Sequence, residues 1–454
     1  MLFINDSEST IVALATPPGE GGIAIIRLSG NEAEAIANQI FSGDVTSYPT
    51  HTAHLGKVVS ESGAVIDEAL LLIMRAPRSF TGEDTVEVQC HGGSLIARKI
   101  LNRCIGAGAR MAQPGEFSYR AFMNGKLDLA QAEAVQHLIG AKNEHALSAA
   151  SHQLSGALSS KIRAIQSALV DTAAILEAWV DFPEEGLEFA SFEEVIQALE
   201  NAKEMITTLA ATFHEGRKLH EGLTLCLAGL PNVGKSSLMN GLLGHERAIV
   251  TEIAGTTRDL LQEELSLVGL HFRLIDTAGL RNTEEIIEKE GIRRSRAAME
   301  EADLILLVID ASKALTEEEE LLLASAPTSK TLVVWNKIDL PHKIPPCSLT
   351  HQVALSAKTG RGLDALRNAL EAMVWKEGPP SKEEVVLTEQ RHKAAIDDAL
   401  ASLNRLIEGL KEGVSAEFVA ADMRATLNAL GTIIGSDITD DILSAIFSKF
   451  CVGK

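Results

Sequence analysis

The chain has 454 residues, 46% hydrophobic and 23% charged, which is globular composition and too long for one ordinary core, so roughly two to four domains are expected. Its formal net charge of −21 argues against a protein that grips nucleic acid over its whole surface; RNA contact would need a local basic patch or a second, more basic protein, and otherwise the acidity serves solubility alone. Five scattered cysteines (Cys90, Cys104, Cys226, Cys347 and Cys451) without a C-x-x-C pair argue against a zinc site and a disulfide framework; with no basic leader before an apolar stretch and no run of membrane-spanning length, they predict a cytoplasmic protein.

Residues 1–118 read as a small α/β domain of short strands and helices, punctuated by Pro17-Pro18-Gly19 and Gly21-Gly22. Residues 119–219 turn helical, with Leu158, Ile162, Ile165, Leu169 and Leu176 at helical spacing. Residues 220–377 alternate strands and helices, which predicts a doubly wound sheet with its ligand at the strand C-termini. Residues 378–454 are helical again, with Ile396, Leu400, Leu403, Ile407 and Leu410 as the apolar stripe. Neither flank has enough helices for its own core. The economical expectation is one bundle interrupted by an inserted domain, with linkers near His214–His220 and near Lys376–Lys382, the second carrying Gly378-Pro379-Pro380. A coiled-coil seam is the competing use of those stripes.

The inserted segment carries the chemistry. Gly229 to Ser236 read Gly-Leu-Pro-Asn-Val-Gly-Lys-Ser, a complete phosphate-binding loop between the apolar run Leu223–Ala228 and a helical pattern. Its glycines let backbone N–H groups close around phosphates, Lys235 reaches the outer ones, and the Ser236 hydroxyl can ligate Mg²⁺. Asn232, Val233, Gly234, Lys235, Ser236 and Ser237 are therefore the first candidate nucleotide contacts. Thr251, Glu252, Ile253, Ala254, Gly255, Thr256 and Thr257 resemble a switch loop, in which Thr257 would meet Mg²⁺. Asp276, Thr277, Ala278 and Gly279 close the apolar run Phe272–Ile275 and suit a γ-phosphate with its metal. Asn336, Lys337 and Asp339 follow the strand-like Thr331–Trp335; a carboxylate there accepts from the guanine N1–H and exocyclic amine, a donor pair that adenine lacks. Ser356, Ala357 and Lys358 resemble the loop that supports the guanine O6. In this order, each at a strand end, they make the segment a GTPase domain. Leu280 stands where many small GTPases carry a water-orienting Gln and can do no such work, so another group must position the water. The acidic stretch Glu284–Glu290 lies just beyond.

Gly-x-Pro-Asn-x-Gly-Lys-Ser, Gly255-Thr-Thr-Arg-Asp259 and Asp276-Thr-Ala-Gly-Leu-Arg281 together resemble the Era-like GTPases. Ile11–Gly22, Ser79–Asp84, His91-Gly92-Gly93, Pro114–Ser118, Lys126–Glu133 and the terminal Phe450-Cys-Val-Gly-Lys454 narrow the resemblance to the tRNA-modification GTPases called MnmE or TrmE. That resemblance implies a potassium-dependent GTPase whose domains pair face to face in a homodimer. Asn232, Thr251, Ile253 and Thr256 match its potassium ligands, Ser236 and Thr257 its Mg²⁺ ligands, and Glu288 its catalytic glutamate, which would supply what Leu280 cannot. Arg258 matches a switch arginine. The resemblance makes the N-terminal segment a tetrahydrofolate-binding domain, with Arg27, Glu87, Lys126 and Lys454 matching contacts to 5,10-methylene- or 5-formyl-tetrahydrofolate. It also implies an FAD-dependent partner, MnmG, in a heterotetramer, and an aminomethyl or carboxymethylaminomethyl group installed on carbon 5 of the wobble uridine (position 34) of certain tRNAs. Cys451 beside these contacts is either a nucleophile or a small buried hydrophobe. The rival from another class is an assembly GTPase without group transfer, against which the folate-like N-terminus and the terminal Cys-Val-Gly-Lys speak.

Overall fold

The computed structural model describes residues 9–181, 191–245, 264–267, 269–275, 299–375, 385–436 and 438–453. They fall into two compact units: Met1–Gln136, Gln153–Thr207 and Ala394–Lys454 in the first, His137–His152 and Thr208–Lys393 in the second.

In the first unit, alternation of apolar and polar residues builds a sheet. Its strands are β1 (Ile11–Leu14), β2 (Ile23–Ser29), β3 (Thr52–Val59), β4 (Val65–Met74), β5 (Thr85–His91) and β6 (Arg110–Met111), in the order β3-β4-β5-β2-β1-β6. All neighbours run antiparallel except β1 and β6. Side chains alternate faces along a strand, so Ala24, Ile26 and Leu28 of β2 and Val86, Val88 and Cys90 of β5 enter one core. That core is closed by the apolar residues of α1 (Ala33–Ile40) and α2 (Ser94–Gly106). Arg27 and Glu87 are direct cross-strand partners in the β2–β5 register.

α3 (Glu116–Met123) and α4 (Leu129–Gly140) follow, then α5 (Glu144–Leu154), α6 (Ala157–Asp181), α7 (Phe192–Ala211) and α8 (Phe213–Glu221). The predicted stripe of α6 is fully inside: Leu158, Ile162, Ile165, Leu169 and Leu176 are buried. Helices from the far side of the inserted segment complete the bundle: α12 (Gln390–Glu412) and α13 (Ala416–Ile434), numbered after the elements of the insertion. Gln166 Nε2 of α6 donates to the Leu427 carbonyl of α13 at 3.2 Å. Lys411 of α12 meets Glu200 of α7 at 3.1 Å. The stripe therefore closes one interrupted bundle rather than a coiled-coil seam. The terminal α14 (Asp440–Phe447) docks through Phe447, whose ring meets Tyr119 of α3 edge-on at 5.5 Å.

The second unit is built on β7 (Leu223–Ala228), β8 (Glu264–Leu267), β9 (Leu270–Ile275), β10 (Leu304–Asp310), β11 (Thr331–Asn336) and β12 (Gln352–Ala354), in the order β12-β11-β10-β7-β9-β8. Only the β8–β9 pair is antiparallel. β10 and β11 are buried throughout, as parallel strands covered on both faces must be. Leu304, Leu306 and Val308 join one core with α9 (Lys235–His245) and α11 (Leu363–Val374). Ile305, Leu307 and Ile309 join the opposite core, to which α10 (Glu317–Ser325) contributes Leu322 and Leu323. This is the expected doubly wound sheet.

One expectation is corrected. Residues 214–220 are not a linker but the body of α8. Their charges sit at helical spacing and pair there, Arg217 with Glu221 at 2.7 Å and Lys218 with Glu215 at 2.8 Å. Gly216 packs so closely that a Cβ would collide with the Leu387 carbonyl. Polar composition resembled a loop because α8 buries little beyond Gly216 and Leu219. The other expected linker, 376–382, lies outside the described residues. Among the described residues no helix is long and apolar enough to cross a membrane.

Candidate functional site

β7 delivers the chain to Gly229 (φ +139°), and α9 begins at Lys235. Between them Asn232 adopts a left-handed backbone (φ +64°), which Asn tolerates better than most residues, and Gly234 follows at φ +101°. The space at Gly234 is as restrictive as its dihedral, since a Cβ would fall inside the Asn336 amide. Lys235 Nζ donates to the Gly229 and Leu230 carbonyls at 2.7 and 2.9 Å, which places its ammonium inside the curve of the loop. Backbone N–H groups at the start of α9, the Lys235 charge and the Ser236 hydroxyl in its first turn form an anion cradle.

The neighbouring strands end beside it in register, with Asp310 of β10 opposite Asn336 of β11. Asn336 is buried, its Nδ2 donating to the Val233 carbonyl and its Oδ1 accepting from Ala357 N–H, both at 2.9 Å. It ties the phosphate loop to the Ser356–Lys358 loop. Lys337 Nζ donates to the Asn232 carbonyl at 2.8 Å and to Asp310 Oδ2 at 2.7 Å. Burial pushes the Asp310 carboxyl upward, but hydrogen bonds from Lys337 and Ser312 and the Lys337 charge outweigh it and hold the group below the usual carboxylate range. Ser356 Oγ donates to Asp339 Oδ1 at 2.7 Å, and this bond chiefly lowers the Asp339 pKa. An ionised carboxylate anchored on one oxygen can accept from two adjacent N–H donors of a base. Sequence reasoning missed Asp310. Its signal was present, as an Asp closing the most apolar strand and followed two residues later by Ser312, which bonds it.

Thr251–Arg258, Asp276–Gly279, Leu280 and Glu288 lie outside the described residues. Among the described residues the phosphate loop, Asn336, Lys337, Asp339, Ser356 and Ala357 converge as one site.

Residues 10–126 match the family described as GTP-binding protein TrmE N-terminus, and residues 129–451 match the MnmE helical domain. The chain is 57% identical over 446 residues to the tRNA modification GTPase MnmE of Protochlamydia amoebophila (strain UWE25), covering 98% of this chain and 97% of that protein. The chain belongs to the MnmE family. Other members agree along the whole length: the tRNA modification GTPase MnmE of Chlamydia pneumoniae is 47% identical, covering 98% of this chain and 99% of the relative. That of Enterococcus faecalis (strain ATCC 700802 / V583) is 43% identical, with 98% of each chain covered.

The first unit of this MnmE-family chain holds the other candidate residues. Arg27 Nε donates to Glu87 Oε1 at 2.8 Å, and Arg27 Nη1 to the Gly453 carbonyl at 3.4 Å. The Arg27 guanidinium lies 5.7 Å from the Phe117 ring centre and 5.9 Å from that of Phe80, so an apolar floor underlies a fixed charge. Gly453 (φ +95°) presses against Leu14 and Ala15 at the end of β1, where any Cβ would collide. The C-terminal segment is thereby brought to Arg27, 426 residues distant in sequence. Exposed Lys126 donates from Nζ to the Pro77 carbonyl at 3.0 Å; Lys454 lies outside the described residues. Cys451 is exposed, so it is not the small buried hydrophobe that was one of its two readings.

Buried charges brace this region. Arg120 reaches Glu83 and Glu116 at 3.1 Å each, and Arg110 reaches Glu116 at 2.6 Å. Burial alone would raise the Glu116 carboxyl, yet the Arg110 hydrogen bond, the Gln113 N–H and the two arginine charges bring it below the usual range.

Proposed function

We propose that this chain hydrolyses GTP in the service of tRNA modification, and that the observation carrying it is the Asn336 side chain bridging the phosphate loop to the loop that orients Asp339. The bridge couples phosphate binding to base reading, and Asp339 selects guanine. Asn232, Val233, Gly234, Lys235, Ser236 and Ser237 hold the phosphates, and Thr251–Thr257 and Asp276–Gly279 complete the nucleotide site. Ser236 offers a hard hydroxyl oxygen and Asn232 an amide oxygen, donors suited to Mg²⁺ and K⁺ respectively. With Thr257 for Mg²⁺ and Thr251, Ile253 and Thr256 for K⁺, these cations would neutralise charge on the phosphates when bound. Glu288 orients the attacking water, the role Leu280 cannot fill.

In the first unit Arg27, Glu87, Lys126 and Lys454 hold 5,10-methylene- or 5-formyl-tetrahydrofolate. A carboxylate meets the pterin's donors, and cationic side chains meet its glutamyl carboxylates. The one-carbon unit goes to carbon 5 of the wobble uridine of certain tRNAs, in a cytoplasmic homodimer working with the FAD-dependent MnmG as a heterotetramer. The net charge of −21 supports a division of labour in which the partner grips the tRNA.

The decisive experiment measures hydrolysis of GTP against ATP in potassium and in sodium. GTP-selective turnover that is much faster in potassium is expected; equal rates in the two salts would remove Asn232 from its cation role. Titration with 5-formyl-tetrahydrofolate separates the group-transfer enzyme from an assembly GTPase, since only the first binds it.

A further inference from the structure

Three metal-ligating side chains converge within the second unit. His137, His220 and Glu389 each offer a ring nitrogen or carboxylate oxygen, and these atoms lie within 4.8 Å of one another. The residues come from three separate stretches: the last turn of α4, the last turn of α8 just ahead of β7, and the position before α12. His137 is buried, 6% exposed, with Nε2 at 2.6 Å from Glu389 Oε1. Its ring tilts against that of His220 with centroids 3.9 Å apart.

An ion pair between His137 and Glu389 does not account for the whole arrangement. Among the described residues the buried Nδ1 of His137 has no hydrogen-bond partner, and the second imidazole is held against the first where two cations would repel. A divalent ion accepts lone pairs from two neutral imidazoles and a carboxylate together, which removes that repulsion. The donor set of two nitrogens and one oxygen suits zinc, and three protein ligands leave a fourth position for water. His220 is exposed, so an ion can enter from solvent.

We propose that His137, His220 and Glu389 form a binding site for one divalent transition-metal ion of the zinc class, a site that staples the chain entering the GTPase sheet to the chain leaving it. No spacing rule could have found it, because His137 and Glu389 stand 252 residues apart and the ligands are not cysteines.

The full-length chain, stripped with a chelator and free of nucleotide and magnesium, is titrated with Zn²⁺ by calorimetry and with Co²⁺ by visible absorption. One ion per chain is expected at this site. His220→Ala and, separately, Glu389→Gln should each weaken binding by more than the roughly 10- to 100-fold that loss of an outer-shell partner costs. Neither residue serves the GTP site, so GTP turnover by both variants reports an intact fold. The bound cobalt should show d–d bands without a thiolate charge-transfer band. Failure of the parent chain to bind Zn²⁺ overturns the proposal, as do unchanged affinity and stoichiometry in both variants. A charge-transfer band lost in Cys451→Ser would put the ion on cysteine and overturn it equally.

Discussion

Replacing Asn336 by Ala tests whether one side chain holds the nucleotide site together. Asn336 is 2% exposed and makes two hydrogen bonds of 2.9 Å, a buried one given to the Val233 carbonyl and a half-buried one accepted from Ala357 N–H. Truncation leaves both partners without that hydrogen bond. Each stranded group costs about 1–3 kcal/mol, so the second unit should lose about 2–6 kcal/mol, a large fraction of a typical stability of roughly 5–15 kcal/mol. With a urea slope of about 2 kcal/mol per molar, the unfolding midpoint of this unit should drop by about 1–3 M. Asn336→Asp is the informative companion. It keeps the acceptor for Ala357 but sets a carboxylate oxygen against the Val233 carbonyl, and it should be no better than Ala. Urea unfolding followed by Trp335 and Trp375 fluorescence, with GDP affinity alongside, measures both consequences. A midpoint within about 0.3 M of the parent and unchanged GDP affinity would refute the bridge as the element that couples the two loops.

Three further outcomes are expected. Glu288→Ala should abolish GTP hydrolysis while leaving GTP affinity within about twofold, because only transition-state stabilisation is removed; single-turnover kinetics would expose the error if turnover persists. Asp339→Asn should weaken GTP binding by roughly a hundredfold or more and favour xanthosine triphosphate, since an amide can donate to the xanthine O2 but cannot accept both guanine donors; a filter assay with both nucleotides decides it. Glu116 has a folded pKa below that of a free glutamate, so its ionised form stabilises the fold above the unfolded value, and this contribution disappears as pH falls through the folded one. Glu116→Gln should therefore cost about 3 kcal/mol at neutral pH, the low end for a broken buried pair because Arg120 keeps Glu83, and should flatten the acid limb of a thermal-stability profile against pH. Parallel acid limbs in parent and variant would contradict the assignment.

The sequence by itself determined whatever depends on neighbours along the chain. Alternation in β2 and β5, the apolar stripe of α6 and the glycine-bounded phosphate loop are local consequences of side-chain period and backbone freedom, and all were legible. α8 was not, because its ion pairs make a polar heptapeptide helical in a way that composition does not announce. Tertiary structure alone decided which distant groups share a site. β-sheet order brings Asp310 and Asn336 side by side and gives Lys337 an aspartate to hold. The turn at Gly453 carries the end of the chain to Arg27, and the folding of three separate stretches gathers His137, His220 and Glu389. Periodicity is a one-dimensional signal set by backbone geometry. Register, close approach and charge pairing arise only when strands and helices from far apart are packed, and it is there that this chain's chemistry is assembled.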